Sequence, residues 1–222
     1  SLVFMDPACG CGNFLVITYR ELRLLELEVL RAVHSGPGSR FLNIHQELTL
    51  DVDQFYGIEI EEFPAQIAQV ALWLTDHQMN SLVGVEFGEY FARLPLNTAP
   101  HIVHGNALSV NWDDVAAAED IAYVLGNPPF VGHHYQSPDQ KQDHASNLSE
   151  IDGNGVLDFV ANWHVKTTRY MRANPAIRAA LVSTNSIVQG EQVGILWSWL
   201  LRHGVRIHFA HRTFRWSNEA RG

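Results

Sequence analysis

The chain has 222 residues, 46% of them hydrophobic, with 15 Lys/Arg against 24 Asp/Glu and a net charge of −9. Such a length and mix belong to a globular chain with material for one substantial core, and they exclude a low-complexity or collagen-like polymer. No run of about 18 apolar residues is present, so no membrane span is expected, and the lack of a basic-then-apolar leader points to a cytoplasmic protein.

The charge is unevenly spread. Residues 156–222 hold nine Lys/Arg against three acids, a net +6, which leaves −15 on residues 1–155. Either these cations decorate solvated helices and loops, or they form a basic side that phosphates approach. The two cysteines, Cys9 and Cys11, stand too close for a structural staple. Cys-x-Cys without a second pair is a weak metal signal, so both read as reduced, small packing residues.

In chain order, residues 2–5 form a short apolar run that reads as a buried parallel strand. Asp6-Pro7-Ala8-Cys9-Gly10-Cys11-Gly12-Asn13-Phe14 follows. Leu15, Tyr19, Leu22, Leu25, Val29 and Val33 then recur at helical spacing and predict a buried stripe, stopped by the Gly/Pro/Ser cluster at 35–39. Strand, glycine loop and helix together place backbone N–H groups and a helix N-terminus at a ligand. The dinucleotide fingerprint fails, because Leu15 stands where its third glycine belongs. Asp6 at the strand end disfavours a pyrophosphate and suits a cationic ligand with an amino-acid moiety and a sulfonium.

Residues 40–53 read as loop. Residues 55–60 are a second strand closing at Glu59, a carboxylate suited to accepting from both hydroxyls of a ribose. Glu61, Glu62 and Pro64 open a helix. Its predicted buried stripe is Phe63, Ile67, Val70 and Leu74, with Trp73 and Met79 as core. Residues 81–100 read as a connection. Residues 101–104 are a brief third strand ending at Gly105-Asn106-Ala107-Leu108. There Asn106 is equally a turn former or a partner for the edge of an adenine ring. Residues 113–120 predict a short acidic helix, and residues 121–126 a fourth strand.

That strand delivers Gly126-Asn127-Pro128-Pro129-Phe130. The prolines end the ladder. What is left is a stiff turn offering an amide, a carbonyl without a competing ladder bond and a flat aromatic face. Such a turn terminates a strand, and it also fits a planar conjugated amine. Residues 131–155 predict a long mobile loop. It carries His133, His134 and His144, and no third ligand at metal spacing. Residues 156–173 predict a helix, 179–184 a fifth strand, 195–201 a helix stopped by Gly204, and 205–210 a sixth strand. His211-Arg212-Thr213-Phe214-Arg215-Trp216-Ser217-Asn218 mixes cations and rings in a way that suits phosphates and stacked bases. The alternation predicts an α/β fold, a doubly wound, mostly parallel sheet, with Asp6, Glu59, Asn106 and Asn127 at the carboxyl ends of its strands.

Taken together and in this order, the loop from Asp6 to Phe14 and the Asn127-Pro128-Pro129-Phe130 turn resemble the S-adenosylmethionine-dependent amino-methyltransferases of DNA, in the form of the adenine-N6 enzymes. Gly57-Ile58-Glu59-Ile60, His211-Arg212-Thr213-Phe214 and Trp216-Ser217-Asn218-Glu219-Ala220 are similar to a narrower group. In that group, the type IIL restriction–modification enzymes, methyltransferase, endonuclease and target recognition share one polypeptide. The resemblance covers nearly all of residues 1–222 and implies a class I, Rossmann-like methyltransferase domain with S-adenosyl-L-methionine as cofactor and no metal. It implies that Asp6 and the loop of Ala8, Cys9, Gly10, Gly12, Asn13 and Phe14 hold the amino-acid part of the cofactor. Glu59 would take the ribose, Ile60 would lie on the adenine, and Asn106 with Ala107 would meet its edge, where the family more often has Asp. Asn127 and the Pro128 carbonyl would accept from the target amine, Pro129 would stiffen the turn, and Phe130 would stack on a base flipped from double-stranded DNA. The family has further parts on either side, so an excised domain of a larger bacterial protein is expected, partnered by target-recognition and endonuclease domains of the same polypeptide. The same turn serves cytosine-N4, RNA guanine-N2 and protein glutamine amines. A catalytically silent DNA-binding or scaffold module is the reading from a different class.

Overall fold

The structure is a computed structural model that describes residues 2–34, 47–87 and 99–214. The expected helix stop at 35–39, the loop at 40–46, Gly88 and Pro95 of the expected connection, and Arg215, Trp216, Ser217, Asn218, Glu219 and Ala220 lie outside the described residues. The chain forms two compact units, Ser1–Pro128 with Tyr170–Leu181, and Pro129–Arg169 with Val182–Gly222.

In the first unit, β1 (Phe4–Asp6), β2 (Phe55–Glu59), β3 (His101–His104), β4 (Tyr123–Gly126) and β5 (Arg178–Leu181) make one sheet. Its order is β3-β2-β1-β4-β5, and every neighbouring pair is parallel. The expected α/β class is what is found. β1 is central and wholly buried, which is why it reads as an unbroken apolar run. Phe4 lies in register with both Phe55 and Tyr123 and stacks on their rings at 4.9 and 5.3 Å. The sheet reverses its winding between β1 and β4, the place where ligands meet open α/β sheets. The expected sixth strand is not formed. Residues 205–214 have no ladder partner among the described residues, and Ile207, Phe209 and Phe214 are exposed. Val205, Ile207 and Phe209 do alternate as strand residues should, but alternation makes a strand only when a neighbour supplies hydrogen bonds.

Helices α1 (Asn13–His34) and α2 (Glu62–Phe87) depart from the predicted stripes. On α1 the buried residues are Leu15, Tyr19, Arg23, Leu27 and Leu30, while Leu25, Val29 and Val33 are exposed. On α2 they are Ala65, Ala68, Leu72, Thr75, Asp76, Met79, Asn80 and Val83. Phe63, Val70 and Leu74 face outward instead and border, with Ile67, a shallow apolar groove of about 360 Å³. α2 also continues through Ser81 to Phe87, where a connection was expected.

The physical reason is a buried polar network between the two helices. Tyr19 donates to Asp76 at 2.6 Å, Arg23 donates to Tyr19 and to Asn80 at 2.9 Å each, and Asn80 donates to Asp76 at 2.9 Å. Arg23 also lies 3.4 Å from Glu26, whose carboxylate accepts from the backbone N–H groups of Thr49 and Leu50. The network is largely satisfied, so burying it is tolerable, and it fixes the segment leading into β2. Apolar neighbours Leu27 and Leu72 add about 1.5–3 kcal/mol each by burial.

Where an acidic helix was expected at 113–120, a single turn stands, α3 (Trp112–Val115). It is held by buried Trp112, which donates to the Ala107 carbonyl at 2.8 Å and meets Tyr170 edge-on. Tyr170 and Asn174 donate to the carbonyls of Ala116 and Ala118 just beyond it.

The second unit contains α4 (Pro138–Asn147), most of α5 (Ala161–Ala173) and α6 (Ser198–Arg202), the last preceded by a π-helical turn at Val193–Trp197. Its core is Leu148, Ile151, Leu157, Ala161, Val165, Ile187, Leu196, Trp199 and Leu200. The expected mobile loop at 131–155 is thus largely ordered structure. Its signal was present: Ser137 and Gln140 form a reciprocal capping box, with Pro138 opening the helix. His144 is buried and structural, bonded to the Asn154 carbonyl and to Asn162. Burial lowers its pKa, and among the described residues no cluster of His, Cys, Asp and Glu could hold a metal.

Candidate active site at the carboxyl ends of the strands

β1 ends in Asp6, which is 1% exposed and accepts from Ala8 N–H at 2.9 Å. Burial pushes its pKa up to about 7. The Glu59 charge adds to the rise, and the Ala8 bond opposes it. A buried carboxyl near its midpoint at neutral pH is a site that a cation would ionise fully.

The loop then closes on itself and on β2. Gly12 N–H donates to the Cys9 carbonyl, and Cys9 N–H donates to the Ile58 carbonyl at 3.1 Å. Cys9 is buried on β2 as expected, and its thiol pKa is raised by burial and then by Asp6. Cys11 is exposed, so it is not the packing residue the sequence suggested. Gly12 has a left-handed φ of 83°, and a Cβ there would stand 3.0 Å from that of Ala68. Both facts require glycine where α1 starts against α2. Asn13 and Phe14 occupy the first turn of α1, exposed and half-buried.

Glu59 closes β2 and bridges the two loops. One carboxylate oxygen accepts from Gly10 N–H, the other from Glu61 N–H, both at 2.9 Å. Each oxygen retains a lone pair, so ribose hydroxyls are still within its capacity. Ile60, 58% exposed, presents an open apolar face. Its carbonyl is bonded to the His104 ring at 3.0 Å, and the Glu59 carbonyl accepts from Gly105 N–H at 2.7 Å. These bonds draw the end of β3 to Ile60 and place Asn106 and Ala107 beside it. The Asn106 side-chain oxygen accepts from Leu108 N–H at 2.9 Å, so the turn-forming role is real.

β4 ends at Gly126, and the sequence did not single out this residue. A Cβ at Gly126 would lie 2.4 Å from Asp6 Oδ1. The absent side chain is therefore what lets the fourth strand run against the buried carboxyl, and the glycine immediately before Asn127 was the readable signal. Asn127 follows directly. Its Oδ1 is buried and lacks a hydrogen-bond partner among the described residues, a costly state for an acceptor. Pro128 is buried beside it. Pro129 and Phe130 begin the second unit, both exposed, with Phe130 at 44%.

The first unit thus gathers Asp6, Ala8, Cys9, Gly10, Glu59, Ile60, Asn106, Ala107 and Asn127 along one sheet edge, about the β1/β4 reversal. A groove of about 400 Å³ lined by Leu2, Thr49, Leu50 and Gln54 opens at the amino ends of β1 and β2, away from this edge, and its lining holds no ionisable group. The donor set fits the expected cofactor. Two carboxylates suit an ammonium, a sulfonium and ribose hydroxyls, and an open aliphatic face suits an adenine. In the second unit, Arg169 is paired with Glu150 and lies over Trp199, while Lys166 is pulled down to about 8 by burial and then by Arg169. Arg206 and Arg212 are exposed within residues 205–214.

The family model of the MmeI DNA-methyltransferase domain matches residues 1–222. DNA methyltransferase A of Bacillus subtilis (strain 168) is 39% identical over 221 residues, 98% of this chain and 25% of that protein. A putative type II restriction enzyme and methyltransferase of Methanocaldococcus jannaschii is 25% identical over 186 residues, 77% of this chain and 15% of the relative. The solved structure of the type IIL restriction–modification enzyme MmeI in complex with DNA superposes with a TM-score of 0.93 at 59% identity, covering all of this chain and 29% of that one. The ATP-dependent type ISP enzyme LlaBIII, bound to DNA, shares the fold with a TM-score of 0.54 at 15% identity, over 86% of this chain and 13% of that one. The chain therefore spans about a quarter of the length of DNA methyltransferase A and of MmeI.

Proposed function

The chain belongs to the MmeI DNA-methyltransferase domain family, and from that premise we propose that it moves a methyl group from S-adenosyl-L-methionine to the N6 amine of an adenine turned out of a DNA duplex, within a longer restriction–modification polypeptide. The observation that carries this reading is the Oδ1 of Asn127 at the end of β4, buried and without a hydrogen-bond partner among the described residues. An acceptor kept out of water without a donor is stabilised by a ligand that brings one, and an exocyclic amine brings two N–H groups.

When bound, the cofactor supplies an electrophilic methyl on a sulfonium. The remaining work falls to the chain. Asp6 ionises fully beside positive charge, and Glu59 accepts from ribose hydroxyls while holding Gly10 and Glu61 in place. Ile60 shields one face of the cofactor's adenine. The lone pair of an adenine amine is conjugated with its ring and is a poor nucleophile. Asn127 Oδ1 and the Pro128 carbonyl, accepting both N–H bonds out of the ring plane, weaken that conjugation and aim the lone pair. In-line placement lowers the barrier further. Turning the base out costs a few kcal/mol, and stacking on Phe130, about 1–3 kcal/mol, offsets part of it.

The test is tritiated-methyl transfer by the full-length protein onto mapped DNA, with hydrolysis to identify the base. N6-methyladenine is expected, and Asn127→Ala should abolish its formation while cofactor binding persists. Cytosine-N4 or RNA guanine-N2 product would reassign the amine. Unchanged methylation by Asn127→Ala would remove the mechanism.

A further inference from the structure

Among the described residues, no ring contact or core cluster holds the Phe130 ring, which is 44% exposed. Its aim is set by the backbone that carries it, and that backbone is clamped just downstream. The Val131 carbonyl accepts from Phe159 N–H at 2.9 Å, and His133 N–H donates to Asp158 Oδ1 at 3.1 Å. Gln136, 7% exposed, reaches the Leu157 carbonyl at 3.5 Å. Three bonds thus fasten residues 131–136 onto 157–159, beginning one residue after the ring.

Asp158 is the fixed point of this clamp. It is 9% exposed and forms a two-way pair with Gln192: Asp158 N–H donates to Gln192 Oε1 at 2.9 Å, and Gln192 Nε2 donates to Asp158 Oδ2 at 3.1 Å. Burial alone would raise its pKa, but hydrogen bonds from Ser186, Gln192 and His133 N–H hold it below the ordinary value. An ionised acceptor makes the His133 bond charge-assisted, the stronger kind. The His133 ring itself lies 3.8 Å away, beyond hydrogen-bond range, so the link runs through the backbone.

We propose that Asp158 is a positioning residue that aims Phe130 at the flipped base by holding the His133 amide. This rests on the stacking reading of Phe130. The test uses the full-length protein and three readouts: single-turnover methyl transfer, cofactor affinity, and the fluorescence lifetime of 2-aminopurine placed at the target adenine. Asp158→Ala is expected to slow transfer by roughly 10- to 100-fold, the range a misplacement of about 1 Å produces. Cofactor affinity should stay within about twofold, and the 2-aminopurine lifetime should shift as it does in Phe130→Ala. The pair swap Asp158→Asn with Gln192→Glu keeps every bond of the clamp and should restore the rate. Were the alanine variant to unfold, His133→Pro tests the same bond, with His133→Ala as the control for the lost ring. It deletes the N–H together with the imidazole, which lies against His134, at the first position of a 3₁₀ turn preceded by an extended Gly132, where proline fits. A folded Asp158→Ala or His133→Pro enzyme with the wild-type rate would overturn the proposal, as would a slowed Asp158→Ala enzyme that the swap, folded, does not rescue. Phe130→Ala with the wild-type rate would instead remove the stacking reading beneath it.

Discussion

Gly126→Ala is the sharpest probe of how β4 meets β1. The added Cβ would stand 2.4 Å from Asp6 Oδ1, 3.0 Å from its Cγ and 3.4 Å from Oδ2, where ordinary contact begins at 3.4 Å. One side must retreat by about 1 Å, the difference between those contacts. The carboxyl is poorly placed to yield, being 1% exposed and tied to Ala8 N–H. Overpacking of this kind costs about 1–3 kcal/mol. Since Asn127 is the next residue, a shift of that size also displaces the acceptor proposed for the target amine, and catalysis should fall by roughly 100-fold. Urea unfolding reads the first effect, and single-turnover transfer by the full-length protein reads the second. Gly194→Ala, where an added Cβ meets nothing within 4 Å, is the control and should gain about 0.4–1 kcal/mol. A Gly126→Ala protein within about 0.5 kcal/mol of wild type and fully active would refute the reasoning.

Other outcomes follow from buried charge. Asp76→Ala leaves Arg23, 0% exposed, without its closest anionic support across the helices, and should cost about 3–5 kcal/mol in chemical unfolding; a loss below about 1 kcal/mol would mean that Glu26 suffices. Asp6 has its folded pKa raised, so the native state binds the extra proton, and stability should fall as pH rises from about 4 to about 7. Asp6→Asn keeps the acceptor for Ala8 and should remove that slope, gaining on the order of 4 kcal/mol at pH 8; parallel pH–stability curves for the two proteins would contradict this. His164, bonded to Ser183 at 2.8 Å, is pushed down to about 4 by burial. Its sign is opposite: the unfolded state binds the extra proton, so its contribution grows as pH rises from about 4 to 6.5, and His164→Gln should flatten the melting curve's dependence on pH in that window.

The strand ends were legible because their punctuation is chemical. Asp6, Glu59, Asn106 and Asn127 each follow a short apolar run, and a parallel sheet puts all such ends on one edge. The helix faces were not, because periodicity assigns the apolar side to the core. Here Arg23, Asp76 and Asn80 are inside, bonded to one another, Thr75 is inside with its hydroxyl on the Ala71 carbonyl, and Phe63, Val70 and Leu74 are outside. α4 has too few apolar residues to show a stripe, although its cap at Ser137 was written plainly. The strand expected at 205–210 failed for a different reason: pairing depends on a partner, and no pattern within the segment supplies one.

The two cysteines of the first loop face opposite fates. Cys9 is sealed against β2, where a side chain at Gly57 would meet its sulfur at 2.9 Å, and burial keeps its thiol protonated. Cys11, two residues on and just ahead of α1, is open to solvent. A thiol reagent attacks where access and ionisation permit, so within this chain it should mark a single atom. A small fluorophore on Cys11 would give a ready-made optical gauge, seated on the glycine loop itself, for each molecule that arrives there or leaves.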